Sequence, residues 1–130
     1  MSNAITTLVG EELEGDDKWS GTLATPNGSL YGVPDSARRV AKFNPVDKSM
    51  THIRPDLGGR WKWCRGAITN SGVIYCVPRS RVRGILKIDT NTDTIWMPIF
   101  FQNEVIIYGD HVLPLSMDAF TLCRLVLIAS

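Results

Sequence analysis

Residues 18–36 read KWSGTLATPNGSLYGVPDS, and 44 residues later residues 62–80 read KWCRGAITNSGVIYCVPRS. Eight of the nineteen positions are identical, where chance at ordinary composition gives about one. The identities pair Lys18 with Lys62, Trp19 with Trp63, Thr25 with Thr69, Gly28 with Gly72, Tyr31 with Tyr75, Val33 with Val77, Pro34 with Pro78 and Ser36 with Ser80. With one residue inserted the match runs on, residues 40–53 lying on 85–98, so that Lys42 meets Lys87 and Phe43 meets Ile88. Upstream, residues 6–19 resemble 50–63, with Leu13 over Leu57. The chain therefore carries the end of one repeat, one whole repeat and most of another. Such a chain can take only a fold in which one small unit is built again and stacked on itself.

A period of 44 to 45 is compatible with helical repeats, but the punctuation here is not helical. Pro26-Asn27-Gly28 and Asn70-Ser71-Gly72 stand between apolar runs, and Asn and Gly supply the positive φ that tight hairpins require. A second turn follows in each copy, at residues 44–48 and 89–93. Each repeat thus reads strand (21–25), turn, strand (29–33), loop, strand (40–43), turn, strand (49–53). Pro34 and Pro78 end the second strand, because a missing N–H would break a central ladder. Four short antiparallel strands in about 45 residues is the sequence form of a kelch-like β-propeller blade. The expected fold is all-β, with about two blades and a partial one, and an incomplete ring. Residues 5–17 are expected to end a preceding blade, 18–61 and 62–98 to form blades, and 99–130 to hold a divergent hairpin and an apolar end. Facing blades leave a gap that large flat rings fill well, so Trp19, Trp63, Tyr31 and Tyr75 are expected between blades or at their edges.

The pattern KW-G-L-PNG-LYGVP followed by V-KFNPVDKSMTHI resembles the propeller-type repeat KW-GG-LAPNG-IYG-P … I-IDP-T of large uncharacterised proteins from single-celled eukaryotes. More distantly it is similar to blades of the YVTN and virginiamycin B lyase type. The resemblance spans about residues 6–101 and implies a propeller repeat without assigning an activity. A third signature due near residue 107 is replaced by Ile107-Tyr108-Gly109-Asp110, read as a hairpin turning at Gly109-Asp110, and by the apolar FTLCRLVLIAS. Two and a fraction blades do not close a ring of four to eight. Open blade faces and strand edges invite association, so a fragment or an oligomer is expected.

Bulk properties restrict function further. At 130 residues the chain has room for one core. Its net charge of +1 provides no whole-chain attraction to nucleic acid or membrane. No run of about 18 apolar residues is present, and MSNA lacks the make-up of a signal peptide. Three cysteines, an odd and sparse number, suit a reducing, cytoplasmic setting.

Charge is uneven along the chain. Residues 38–87 hold twelve Lys or Arg against Asp47 and Asp56, a local +10, flanked by −5 before and −4 after. Arg38 and Arg39, and Arg79, Arg81 and Arg83, fall in the same inter-strand loop of successive repeats. In a propeller such loops share one face, and that face would attract phosphate or carboxylate groups. The alternative is a solvated loop surface partly neutralised by EELEGDD. Nucleic-acid binding would also want stacking platforms among the basic residues. Trp61 and Trp63 are nearby, with Trp63 expected to be structural.

Other chemistry is thin. His52 and His111 are isolated and have no ligand partner at zinc spacing. Cys64 and Cys76 read as buried small hydrophobes. No Gly-x-Ser-x-Gly and no phosphate-loop spacing occur, and Asp56, Glu104 and His52 match no catalytic motif. The expectation is a non-enzymatic repeat module that binds a protein, a copy of itself or another anionic partner, needs no cofactor or metal, and makes contact through Arg38, Arg39, Arg79, Arg81 and Arg83. The competing expectations are a propeller-type lyase or hydrolase active only in a completed ring, and a truncated product without function.

Overall fold

A computed structural model of the chain describes residues 4–79 and 84–96, and in backbone alone the strands at 101–102, 105–108 and 111–114. The described residues are all-β and contain no helix, so none is long and apolar enough to cross a membrane. The first repeat folds into β1 (Trp19–Ala24), β2 (Leu30–Pro34), β3 (Val40–Asn44) and β4 (Ser49–Ile53), paired antiparallel in the order β1-β2-β3-β4. The second folds into β5 (Trp63–Ile68), β6 (Val73–Pro78), β7 (Leu86–Asp89) and β8 (Thr94–Trp96), in the order β5-β6-β7-β8. Beyond them β9 (Phe101–Gln102), β10 (Val105–Tyr108) and β11 (His111–Pro114) form a third sheet. Tyr108 pairs with His111 across the expected hairpin. Gly109, Asp110 and the apolar end at 120–130 lie outside the described residues.

The two repeats fold alike, down to single bonds. Thr25 N–H donates to Ser29 O at 2.9 Å and Gly28 N–H to Thr25 O at 2.9 Å; Thr69 N–H donates to Val73 O at 2.9 Å and Gly72 N–H to Thr69 O at 3.0 Å. Gly28 and Gly72 hold φ of 90° and 83°, the left-handed conformation that a side chain would resist. In the second turn of each repeat an acceptor side chain caps the backbone two residues on. Asn44 Oδ1 takes the Val46 N–H at 3.0 Å, and Asp89 Oδ1 takes the Asn91 N–H at 2.9 Å, as Asx-turns do. Both turns close through one left-handed residue, Lys48 (φ 59°) or Asp93 (φ 55°). Strand register repeats too: Leu23↔Tyr31 and Tyr31↔Lys42 become Ala67↔Tyr75 and Tyr75↔Lys87. The indoles are pinned at matching places, Trp19 Nε1 to Arg39 O at 3.1 Å and Trp63 Nε1 to Gly84 O at 2.8 Å.

Side-chain alternation decides how the sheets stack, since successive residues of a strand point to opposite faces. One face of the first sheet carries Tyr31, Val33, Val40 and Ile53. It meets the face of the second that carries Trp63, Ile74, Cys76, Leu86 and Ile88. These nine form one buried cluster, with Leu23, Leu57, Ile68 and Ile95 packed against it. Of the four expected inter-repeat aromatics, Tyr31 and Trp63 are inside this layer, at 0% and 2% exposure. Trp19 and Tyr75 are half-buried. Cys76 is buried and Cys64 half-buried, both free thiols.

The approach is closest at Gly66, where a Cβ would lie 2.8 Å from Leu23 Cδ1 and 3.1 Å from Val33 Cγ2 across the interface. Gly21 on β1 has nothing within 4 Å of the same imagined atom. Gly66→Ala is therefore expected to destabilise the protein by about 1–3 kcal/mol through overpacking, while Gly21→Ala stays within about 0.5 kcal/mol of wild type. Urea denaturation followed by tryptophan fluorescence checks both.

Candidate interaction surface

The contact between the two sheets has a polar frame as well as an apolar centre. Lys62, at the start of β5, is 2% exposed, and its Nζ donates to Asp35 O at 3.0 Å, Ala37 O at 2.8 Å and Gly59 O at 2.8 Å. Three carbonyl oxygens match the three donors of an ammonium group. Burial holds the Lys62 pKa below the ordinary lysine value, a shift that the Asp35 and Asp56 charges oppose. Beside it Arg79 Nη1 lies 2.6 Å from Oδ2 of the buried Asp35; Asp35 Oδ1 has no hydrogen-bond partner among the described residues. At the other end of the interface, Asp93 accepts from the Tyr31 hydroxyl and from Lys42 Nζ, the latter at 2.7 Å. Burial first, and then Asp93, push the Tyr31 phenol well above its usual pKa.

Positions 35 and 79 are repeat equivalents, as are 48 and 93. Asp35, Arg79 and Asp93 of the frame thus stand at places where the two copies differ, whereas Lys62, Tyr31 and Lys42 stand at places where they agree. Comparing the copies for identity passes over both positions. The recurrence of Lys at 18 and 62, each just before a Trp, is the signal that could have drawn attention to Lys62.

The outward face of the first sheet repeats the buried face of the second. Trp19, Leu30, Gly32, Ala41, Phe43 and Met50 stand where Trp63, Ile74, Cys76, Leu86, Ile88 and Ile95 stand one repeat later. The later set is packed in the core. The earlier set lines a groove of about 260 Å³, with Met50 40% exposed. Its floor is shallow at Gly32, where a Cβ would come within 2.9 Å of Trp19 Cδ1. A second cleft, of about 490 Å³, shares Trp19 with the groove and opens between residues 13–18 and the loop at 36–39. There the Trp19 ring stacks on His52, with centroids 6.1 Å apart and planes at 7°.

Residues 4–17 form no strand, but they follow the repeat in placement. Val9, equivalent to Ile53, lies along the groove, and Leu13, equivalent to Leu57, lies along the cleft. Ile5 and Leu8 are 86% and 97% exposed. The ammonium groups of Lys18 and Lys48, the counterparts of Lys62 and Asp93, make no hydrogen bond or ion pair among the described residues.

The arginines expected to make contact are placed unevenly. Arg38 is exposed and paired with Asp56, Nε to Oδ2 at 2.7 Å, and this contact, with the Gly58 N–H, holds the Asp56 carboxyl below its usual pKa. Arg39 is half-buried beside Trp19, and its guanidinium makes no ion pair among the described residues. Arg79 is engaged with Asp35. Arg81 and Arg83 lie outside the described residues. Arg38 and Arg39 border the second cleft; Arg79, its side chain 49% exposed, reaches the buried Asp35 of the first repeat. No group of three or more His, Cys, Asp or Glu placed to hold a metal ion occurs among the described residues. Comparison with protein-family models, with curated proteins and with solved structures finds no match to this chain.

Lys62 and Lys18 sit at equivalent positions with and without a set of acceptors. Lys62→Met is expected to cost about 2 kcal/mol, because it strands the Ala37 and Gly59 carbonyls, whereas Lys18→Met changes stability by less than about 0.5 kcal/mol. Equilibrium unfolding in urea at pH 7 measures the difference; equal losses would mean that the carbonyl cage contributes nothing.

Proposed function

We propose that the chain is a non-enzymatic β-propeller-type repeat module whose work is to bind protein. Its two meanders serve as successive blades. The observation that carries this reading is the outward face of β1–β4. That face bears, position for position, the counterparts of the residues that the second sheet buries against the first. A sheet face carrying Trp19, Leu30, Phe43 and Met50 has the composition of an interface centre, where aromatics and Met are favoured and charge is scarce. The adjoining cleft supplies a charged rim in which Lys18, Arg38 and Arg39 stand among Glu14, Asp16 and Asp56, and rim charges govern encounter and specificity more than affinity.

Within this reading the basic loop keeps the role expected of Arg38 and Arg39, as a steering rim for an acidic partner surface. Arg79, half exposed, keeps that role too while pairing with Asp35 of the first repeat.

The 130-residue chain, immobilised at its C-terminus and exposed to extract of its own cells, tests the assignment. Met50→Asp is expected to reduce recovery of the captured partner at least tenfold, since it sets a charge in the centre of the patch. Arg38→Glu/Arg39→Glu is expected to reduce it a few-fold and to make it less sensitive to salt. Melting temperatures within a few degrees of wild type establish that folding is retained. Capture unaltered by either substitution would remove the reading.

A further inference from the structure

The open face is matched to one kind of occupant, and the rest of the chain shows which. Where the face recurs on the second sheet it is covered by a β-meander: the first sheet lays Tyr31, Val33 and Ile53 on it. That meander also brings the Asp35 and Ala37 carbonyls to Lys62 and brings Lys42 to Asp93.

On the first sheet, part of such a cover is already in place. Val9 and Leu13 lie over the groove and cleft at the repeat positions of Ile53 on β4 and of Leu57 just after it. Residues 5–9 are the counterpart of β4, the fourth strand of a meander, and they lie unpaired in the described structure. Strands one to three of such a meander would complete the cover.

Charge then distinguishes this occupant from a copy of the first sheet. On the second sheet the turn residue facing the cover is Asp93, and the cover answers with Lys42 at 2.7 Å. On the first sheet the same turn residue is Lys48, held at the same left-handed φ. A cover built like the first sheet would set lysine against lysine, and like charges across an interface disfavour the wrong partner.

We propose that the outward face of β1–β4 docks a three-stranded antiparallel sheet of a second, different protein. That sheet takes residues 5–9 as its fourth strand, offers loop carbonyls to Lys18, and sets a carboxylate against Lys48. This rests on the interaction reading above and specifies the partner. The strand addition follows β-augmentation, in which main-chain pairing contributes affinity and side chains contribute selectivity. Lys48 is the specificity-determining residue.

The test uses the full chain and a defined probe. The probe is a synthetic, fluorescently labelled polypeptide with the sequence of residues 18–48, which supplies strands one to three. It is made in two forms, unaltered and with Lys42→Glu. By anisotropy titration, the Lys42→Glu probe is expected to bind wild-type protein about tenfold more tightly than the unaltered probe. Lys48→Glu in the full chain, an exposed position where folding is not at stake, is expected to reverse that order. Amides of residues 6–9 should gain hydrogen-exchange protection in the bound state, and Met50→Asp should abolish binding.

Equal affinities for the two probes, no binding of either, or binding untouched by Met50→Asp would each overturn the proposal. So would concentration-dependent self-association of the full chain, by light scattering, that Met50→Asp abolishes, because the occupant would then be a second copy. Capture from extract that depends on Met50, together with charge-blind probe binding, would leave the interaction reading standing and remove this one.

Discussion

Burial of one sheet face against another is the contact on which the rest of this structure depends. A four-stranded meander of some 40 residues has little interior of its own and gains most of its apolar burial from a neighbour. Here the two copies bury each other, with Tyr31, Val33 and Ile53 on one side and Trp63, Ile74, Leu86 and Ile88 on the other. Rings of this size each bury about 150–250 Å², so two of them inside a small layer account for much of its apolar area. The hairpin turns, the left-handed residues at 28, 48, 72 and 93 and the pinned indoles all serve to present those faces flat and in register.

Apolar burial alone would let the sheets slide, since it has no direction. The polar frame removes that freedom. Lys62 in its cage of three carbonyls, Arg79 on Asp35, and Asp93 between Tyr31 and Lys42 lie at the two ends of the layer and fit one alignment only. Each of these contacts joins positions at which the repeats either agree in a residue that only one copy can satisfy, or differ in charge. The repeat is therefore not a uniform unit stacked indefinitely. It is graded, and its first face and its second present different electrostatic demands. Substituting Lys48 for the acid at 93 changes what can sit next to the unit without changing how the unit folds.

Much of this was legible in the residues. The turn signals at 26–28 and 70–72, the recurring Trp and Tyr, and the prolines that close β2 and β6 place eight strands within a residue or two of where they lie, because hairpin chemistry is local. That residues 18–35 and 62–79 adopt one conformation followed from their likeness. The stacking partners were legible only in kind: alternation shows that Tyr31 and Val33 share a face, but the residues opposite them lie 30 or more positions away and leave no local trace. The ion pairs were hidden for a related reason. Arg79 looked like a member of a basic loop alongside Arg38 and Arg39, and only its proximity to the buried Asp35 shows that it ties the sheets. Val9 and Leu13 could be read as the end of a repeat, yet their position over the open groove depends on the tertiary placement of a segment with no strand of its own.

The claim at the centre of this account is that the two copies lie face to face, and side-chain proximity across the layer tests it most directly. In the NMR spectrum of the folded protein, the methyl groups of Leu23 are predicted to show strong nuclear Overhauser contacts to the α-protons of Gly66 and to the Ile74 side chain, all from the other repeat. The Tyr31 ring is predicted to show contacts to residues at the β7–β8 turn. Leu23 and Tyr31 contacts confined to residues 18–61 would contradict the account, because each meander would then stand apart from the other and the outward face of β1–β4 would have no buried counterpart.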